Sequence, residues 1–332
     1  MHEGNSVTSV TPSTIINETC FRLRSLIESS VKRNLAEGIL LSGGLDTSIL
    51  AFIASRFAPL KAFTVALEGA PAPDVQYASL MAKKLGLKHI VQFFDEKELY
   101  DAVKAVVATI KSFDPMEVRN SVAIYEALKL ARQEGLNSIM TGDGCDELFA
   151  GYDFLVKIRG EKLKQELIRI WNVMSFSSIP LAQVLGMQAK LPYLDSELKE
   201  FALKLDWRYM VQSERGRLWG KWILRKAFEG ILPDEIVWRT KAPIEAGSGT
   251  AILPSMFNQK ISDEEFEEKR RRYLRDDRVV IRDKEHLFYY EVYRSIFGVP
   301  YSLSSHGRKC PNCNSNVNET ATYCRTCGAY PI

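Results

Sequence analysis

Histidine is scarce, at four of 332 residues, and the four are scattered, so chemistry built on imidazoles has little to draw on. Long apolar runs are absent; none approaches the roughly 20 residues that span a bilayer. A dominant charge is absent too. With 44 Lys and Arg against 41 Asp and Glu, the net charge of +3 gives no global field for nucleic acid or an anionic membrane, local patches aside. Residues 1–13 are polar, without the apolar stretch of a signal peptide. Secretion and membrane insertion are therefore set aside, and a reducing, cytoplasmic setting is expected. No internal repeat is visible. What is present is ordinary globular composition, 46% hydrophobic and 26% charged, in a chain long enough for two domains and a small appendage at roughly 100–200 residues per domain.

Cysteine is sparse until the end of the chain. Cys20 and Cys145 stand alone, whereas Cys310-Pro-Asn-Cys313 and Cys324-Arg-Thr-Cys327 form two C-x-x-C pairs with ten residues between them. Two such knuckles can set four thiolates tetrahedrally around one ion, which matches structural Zn²⁺. Two disulfides in a secreted tail are the alternative, and no signal peptide supports them.

Apolar spacing predicts an amphipathic helix over 15–35, preceded by a flexible N-terminus, 1–14. Strands are expected at 38–41, 61–67, 88–94 and 138–141, alternating with helices at 46–56, 74–85, 96–111 and 118–135. This alternation predicts an α/β fold with a doubly wound parallel sheet over 15–152. Strand signals then fade. Helices are expected at 160–171, 179–187, 196–205, 218–229, 263–274 and 284–296, giving a helical second half, 153–301, packed on the core. A polar linker, 302–309, leads into a zinc ribbon at 308–332. The stretch 262–284 contains Arg270-Arg271-Arg272 but balances eight acidic against eight basic residues. Its Glu267/Arg271 and Glu268/Arg272 spacing reads as a solvated helix face rather than a nucleic-acid patch.

The strongest local signal is Leu41-Ser42-Gly43-Gly44-Leu45-Asp46-Thr47-Ser48, between a buried strand and a helix. Two glycines let the backbone turn tightly and offer amide N–H groups to an anion, and the helix N-terminus adds its dipole. Ser42, Thr47 and Ser48 add hydroxyls. Asp46 inside such a loop would repel phosphate unless a cation such as Mg²⁺ intervened. A Gly-Gly turn with an Asp cap is the plainer alternative, and the G-K-[ST] of a Walker loop is missing. A second segment, Thr141-Gly142-Asp143-Gly144-Cys145-Asp146-Glu147-Leu148-Phe149-Ala150-Gly151-Tyr152, crowds three further acids beside glycines, which is costly unless they are solvated or hold cations.

The first loop resembles the S-G-G-x-D-S pyrophosphate loop of ATP pyrophosphatases, and the second resembles S-G-E-G-S-D-E-L-F-G-G-Y of the asparagine synthetase family. Leu191-Pro192-Tyr193-Leu194-Asp195 resembles that family's V-P-F-L-D, Lys221 to Phe228 its K-x-x-L-R-x-x-F helix, and Arg239-Thr240-Lys241 with Gly247-Ser248-Gly249 its R-x-K and G-x-G. The resemblance, over roughly 15–255, implies an ATP pyrophosphatase core and an AMP-forming amide ligase. On it, ATP is bound by Leu41–Ser48, Val65, Thr141, Gly142 and Lys221, with Mg²⁺ on Asp46 and Asp146. Lys241 would stabilise departing charge, and Asp143 would meet the reacting carbonyl and amine.

Four departures stand out: Thr141 for Ser, Asp143 for Glu, Cys145 for Ser, and Ile244 for the Phe after R-x-K. Cys145 reads as a small residue in a tight loop rather than a nucleophile. The family's glutamine-dependent members open with Met-Cys and a glutaminase domain. This sequence opens Met1-His2 and reaches the loop by Ser42, so nitrogen is expected from ammonia, an amine-bearing substrate or a partner glutaminase. Aspartate is the first candidate for the small-molecule carboxylate. Two other readings stand beside this one. One is an RNA-modifying ATP pyrophosphatase whose ribbon binds tRNA. The other is a non-catalytic nucleotide sensor whose ribbon docks a protein.

Overall fold

The computed structural model describes residues 12–300 and 307–332. Residues 1–11 of the expected flexible N-terminus and 301–306 of the expected linker fall outside them, as do His2 and His306. Residues 12–14 are not part of a tail: they open the first helix, α1 (Pro12–Arg33).

Strands β1 (Gly38–Leu40), β2 (Lys61–Leu67), β3 (Lys88–Phe94), β4 (Ser138–Met140) and β5 (Gln188–Lys190) pair in parallel in the order β3-β2-β1-β4-β5. Side chains alternate across the strands. Ile39, Ala62 and Met140 join one core and Phe63, Val65 and Ile139 the other, so both faces are covered and the central strands read as continuous apolar runs. The expected doubly wound sheet is therefore present. The expectation that strands end with β4 is corrected: β5 extends the sheet. Its three residues are polar or small and partly exposed at an edge, which leaves no apolar signal.

Helices α2 (Leu45–Ala54), α3 (Asp74–Leu85), α4 (Glu96–Ile110) and α5 (Pro115–Gln133) connect the strands. Asp95 and Glu98 close a reciprocal capping box on α4, and Asp114 caps α5 ahead of Pro115. The expected helix 218–229 is shortened to Trp222–Phe228, because a hairpin, Gln212–Glu214 with Arg217–Trp219, takes the preceding residues. Its turn residues Arg215 and Gly216 both have positive φ, the signature of a two-residue hairpin loop. In this sheet the chain leaves β1 first toward β2 and later returns to β4 on the other side. Ligands of open α/β sheets bind at such a reversal, beyond the strands' C-terminal ends.

The C-terminal module docks on the body through the backbone. Phe113 N–H donates to Thr326 O (2.8 Å), Ser112 Oγ to Arg325 O (2.7 Å) and Val280 N–H to Asn312 O (2.8 Å). Arg282 Nη2 reaches Cys327 O (2.9 Å). Phe113 is fully buried and stacks on His286; this histidine, pushed down to about 3 by burial and by Arg282, is a packing residue. His89 likewise bonds Thr64 on the neighbouring strand (2.8 Å).

Candidate active site

The loop after β1 is held from three sides. Leu41 N–H donates to Phe63 O (2.8 Å), and Thr64 Oγ1 donates to Leu41 O (2.6 Å). Gly43 has φ +65°, and a Cβ there would lie 2.2 Å from the Tyr77 backbone, so only glycine lets α3 approach. Within the loop, Ser42 N–H donates to Thr47 Oγ1 and Gly44 N–H to Ser42 Oγ. The hydroxyls expected to face an anion thus also cap the loop's own amides. Arg239, quoted in the sequence only as part of R-x-K, is the third support. Its Nη1 donates to Ser42 O (3.0 Å), its Nη2 pairs with Asp74 (2.5 Å), and its plane covers Tyr77.

The loop after β4 packs directly on the first. A Cβ on Gly142 would sit 3.0 Å from Thr47, and one on Gly151 would sit 1.9 Å from Asp146 Oδ1 and 2.3 Å from Lys221 Cε. These glycines bring Asp46 and Asp146 onto one ammonium: Lys221 Nζ lies 2.5 Å from Asp46 Oδ2 and 2.6 Å from Asp146 Oδ1. Lys221 occupies the left-handed region (φ 54°), and its N–H donates to Phe149 O, which fixes where its side chain starts. Lys241 Nζ closes the array 2.6 Å from Asp146 Oδ2. Tyr193, which replaces the motif's Phe, donates its hydroxyl to Asp46 O (3.1 Å).

Burial pushes Asp146 up, but Lys221 and Lys241 outweigh it and hold the carboxyl well below the usual range. Burial likewise lowers Lys221, and Asp146 and Asp46 more than restore it. Asp143 stands apart. Its Oδ2 accepts from Ser178 Oγ (2.5 Å) and Thr141 Oγ1 (2.9 Å), and burial raises its pKa against those two hydroxyls. Burial also raises Glu147, which accepts from Tyr152 Oη at 2.5 Å. Cys145 is fully buried with its thiol pushed well up, an inert small residue as expected.

One cleft of about 1470 Å³ gathers these groups. Leu41, Ser42, Asp46, Thr47 and Val65 line one part; Thr141, Gly142, Asp143, Asp146 and Lys241 line another. Gly43, Leu45 and Ser48 are buried and Gly44 is half-buried, all four serving as loop framework outside the cleft lining, and Lys221, 4% exposed, sits behind the two aspartates. Sequence reasoning passed over Ser178, which holds Asp143, and Arg239 as the loop's clamp. It also missed the ribbon altogether as part of the site: Asn316, Val317, Tyr323, Arg325 and Thr326 line the same cleft.

A family model described as asparagine synthase matches residues 22–183 and 180–298. The chain belongs to that family. Similar proteins include the glutamine-hydrolyzing asparagine synthetase B of Escherichia coli K12, 29% identical over 305 residues, which covers 84% of this chain and 54% of that protein. The Brassica oleracea asparagine synthetase is 30% identical over 259 residues, covering 70% and 44%. The chain thus spans about half the length of the relatives it matches. Among solved structures, the NH3-dependent NAD synthetase of Campylobacter jejuni aligns with TM-score 0.29 at 13% identity, over 66% of this chain and 97% of that one. The U34-tRNA thiolase NcsA of Methanococcus maripaludis, described with its [4Fe-4S] cluster, aligns with TM-score 0.31 at 10% identity, over 92% and 85%.

Beyond the residues that the family model matches lies a four-cysteine cluster. Cys310, Cys313, Cys324 and Cys327 are all buried, and their Sγ atoms lie within 4.8 Å of one another. Cys310–Cys327 and Cys313–Cys324 are each 3.7 Å apart. That is too long for a disulfide and close to the edge of a tetrahedron with metal–sulfur bonds of about 2.3 Å.

Proposed function

We propose that the chain is an AMP-forming amide ligase: it adenylates a carboxylate, aspartate first among candidates, and passes the acyl group to ammonia or another amine. The observation that carries this is the meeting of Asp46 and Asp146, from two separate strand-end loops, on Lys221 beside Lys241, in one cleft with Asp143. The acceptor carboxylate attacks the α-phosphorus of ATP, and the bond to the bridging oxygen breaks. Pyrophosphate leaves toward the Ser42–Ser48 loop, its charge met by Lys241. The amine then attacks the acyl carbon of the mixed anhydride, the C–O bond to AMP breaks, and Asp143 takes the amine's proton. Its raised pKa suits that role better than an ordinary carboxylate's would.

Mg²⁺ fits Asp46 and Asp146. Asp46 Oδ1 is buried without a hydrogen-bond partner, and two carboxylates supply the hard oxygen donors this ion takes. When bound, it supplies the charge that lets carboxylate and phosphate approach. The test is incubation with Mg²⁺-ATP, aspartate and ammonium, with AMP, pyrophosphate and asparagine read by mass spectrometry. Stoichiometric asparagine is expected. AMP without asparagine would move the nitrogen donor, and no AMP across a panel of acids would overturn the reading.

Zinc is the metal proposed for the cysteines, on ligand type and the 3.7 Å sulfur separations. Metal analysis of the purified chain is expected to find about one zinc per molecule. Chelation should lower the thermal midpoint, because the module's backbone bonds to Phe113 and Val280 depend on its fold. Iron in place of zinc would overturn the assignment. Of the ribbon's three cations, Arg308 is turned inward onto Glu319 O and Ala321 O, Arg325 lines the cleft and contacts Ser175, and Lys309 is exposed outside it. This supports a wall of the cleft over an RNA-binding face.

A further inference from the structure

The cleft is lined by elements of two kinds, the charged array and, beside it, the N-terminal part of α5 and the four-cysteine module. On the second of these stand two charges that no local device uses.

The first is Glu117. It lies three residues after the cap Asp114, the spacing at which Asp95 and Glu98 form a closed box on α4. On α5 the box does not form. Asp114 N–H is already taken by Ser112 Oγ (3.1 Å), the same hydroxyl that donates to Arg325 O. Among the described residues the Glu117 carboxyl then has neither a hydrogen bond nor an ion pair. Burial and the neighbouring Asp114 push it up to about 7, while Arg325 pulls it down.

The second is Arg325, between the cysteines of the second knuckle. Its backbone is anchored on both sides, with its own carbonyl held by Ser112 and that of Thr326 held by Phe113 N–H. Among the described residues its guanidinium donates to a neutral hydroxyl, that of Ser175, and makes no ion pair. Glu117 and Arg325 thus line one cavity, feel each other's charge, and stay unpaired.

We propose that Glu117 and Arg325 form a subsite for the head of the acceptor, Glu117 taking an ammonium and Arg325 a carboxylate, so that the cysteine module carries half of the acceptor's recognition. Opposite charges held apart on separate elements suit a ligand that carries both. Position supports the link to the reaction. Arg325 bonds Ser175 while Asp143 bonds Ser178, and three residues of chain span at most roughly 10 Å. An amino acid with a carboxylate in its side chain can be held by its head at one point and present the second carboxylate toward the other. This rests on the ligase reading above.

The test uses the full, metal-loaded chain with Mg²⁺-ATP and ammonium, following pyrophosphate release with L-aspartate, N-acetyl-L-aspartate, succinate and β-alanine. Wild type is expected to prefer aspartate. Glu117→Gln should raise the KM for aspartate about tenfold to a hundredfold, with kcat and the KM for ATP little changed, and should erase the preference over succinate and N-acetyl-aspartate. Arg325→Gln should raise the same KM and erase the preference over β-alanine. Lys309→Gln, exposed on the same module but outside the cleft, is the control and should match wild type. Retained metal and an unchanged thermal midpoint show that the variants are folded. Aspartate used at wild-type KM by both variants, or succinate used as well as aspartate by wild type, overturns the subsite and leaves the ligase reading standing. No pyrophosphate from any of the four acids overturns the ligase reading itself, and the subsite with it.

Discussion

Asp146→Asn is expected to lower pyrophosphate release by about a hundredfold to a thousandfold while the chain stays folded. The carboxylate takes two ammonium groups at 2.6 Å, one from each side, and the change removes its charge without its volume. Lys221 keeps Asp46 as a partner at 2.5 Å, so no buried cation is stranded and the cost to stability stays small. What disappears is one of the two carboxylates proposed for Mg²⁺, along with the anchor that aims Lys241 at the departing charge. Removing one preorganised electrostatic group of this kind costs about 10²–10³ in rate. Measuring pyrophosphate release beside thermal melting separates the two effects. Wild-type release from the folded variant would sink the assignment of the array as the reaction centre.

Lys221→Met should act the other way round, mainly on stability. The new side chain is close in length, but two carboxylates then face each other without the cation between them. Breaking a buried ion pair from one side costs about 3–5 kcal/mol, which for a chain of this size is a fall of roughly 4–7 °C in thermal midpoint. The dependence on pH follows from Asp146. In the wild type its carboxyl is held below its unfolded value, so its stabilisation is in place above about pH 4 and is lost as pH falls through the lower folded value. Without Lys221, burial counts for more, and the cost of keeping the group ionised is relieved by acid. The gap in midpoint between wild type and variant should therefore be widest near neutral pH and narrow toward pH 4. A constant gap would mean that Lys221 acts through packing alone.

The parts of this fold that the sequence announced share a physical property: they are written locally. Strands β2 and β3 were legible to the residue because each is a seven-residue segment set between two helical patterns. The β1 loop was legible because a tight turn before a helix needs glycine, whatever surrounds it. The β4 loop was legible through its acids, whose crowding beside glycines is costly unless each is solvated or partnered. Strand β5 was not, being three residues at an edge, and the left-handed backbone of Lys221 was not, since nothing in Gly-Lys-Trp signals it. Tyr193 and Ser178 look like ordinary packing residues until Asp46 and Asp143 are seen beside them.

By itself, then, the sequence settled the class of fold, the two loops and the four clustered thiols, because dihedral limits, apolar period and ligand spacing act over a few residues. Only the tertiary structure decided that a single lysine would join two aspartates 100 positions apart in the chain, that Arg239 would clamp the loop carrying Ser42, and that the cysteine module would line the cleft. Those contacts depend on backbone groups such as Phe113 N–H and Thr326 O, which every residue carries alike. Their pairing is selected by the packing of the whole chain, so no residue type marks them in advance.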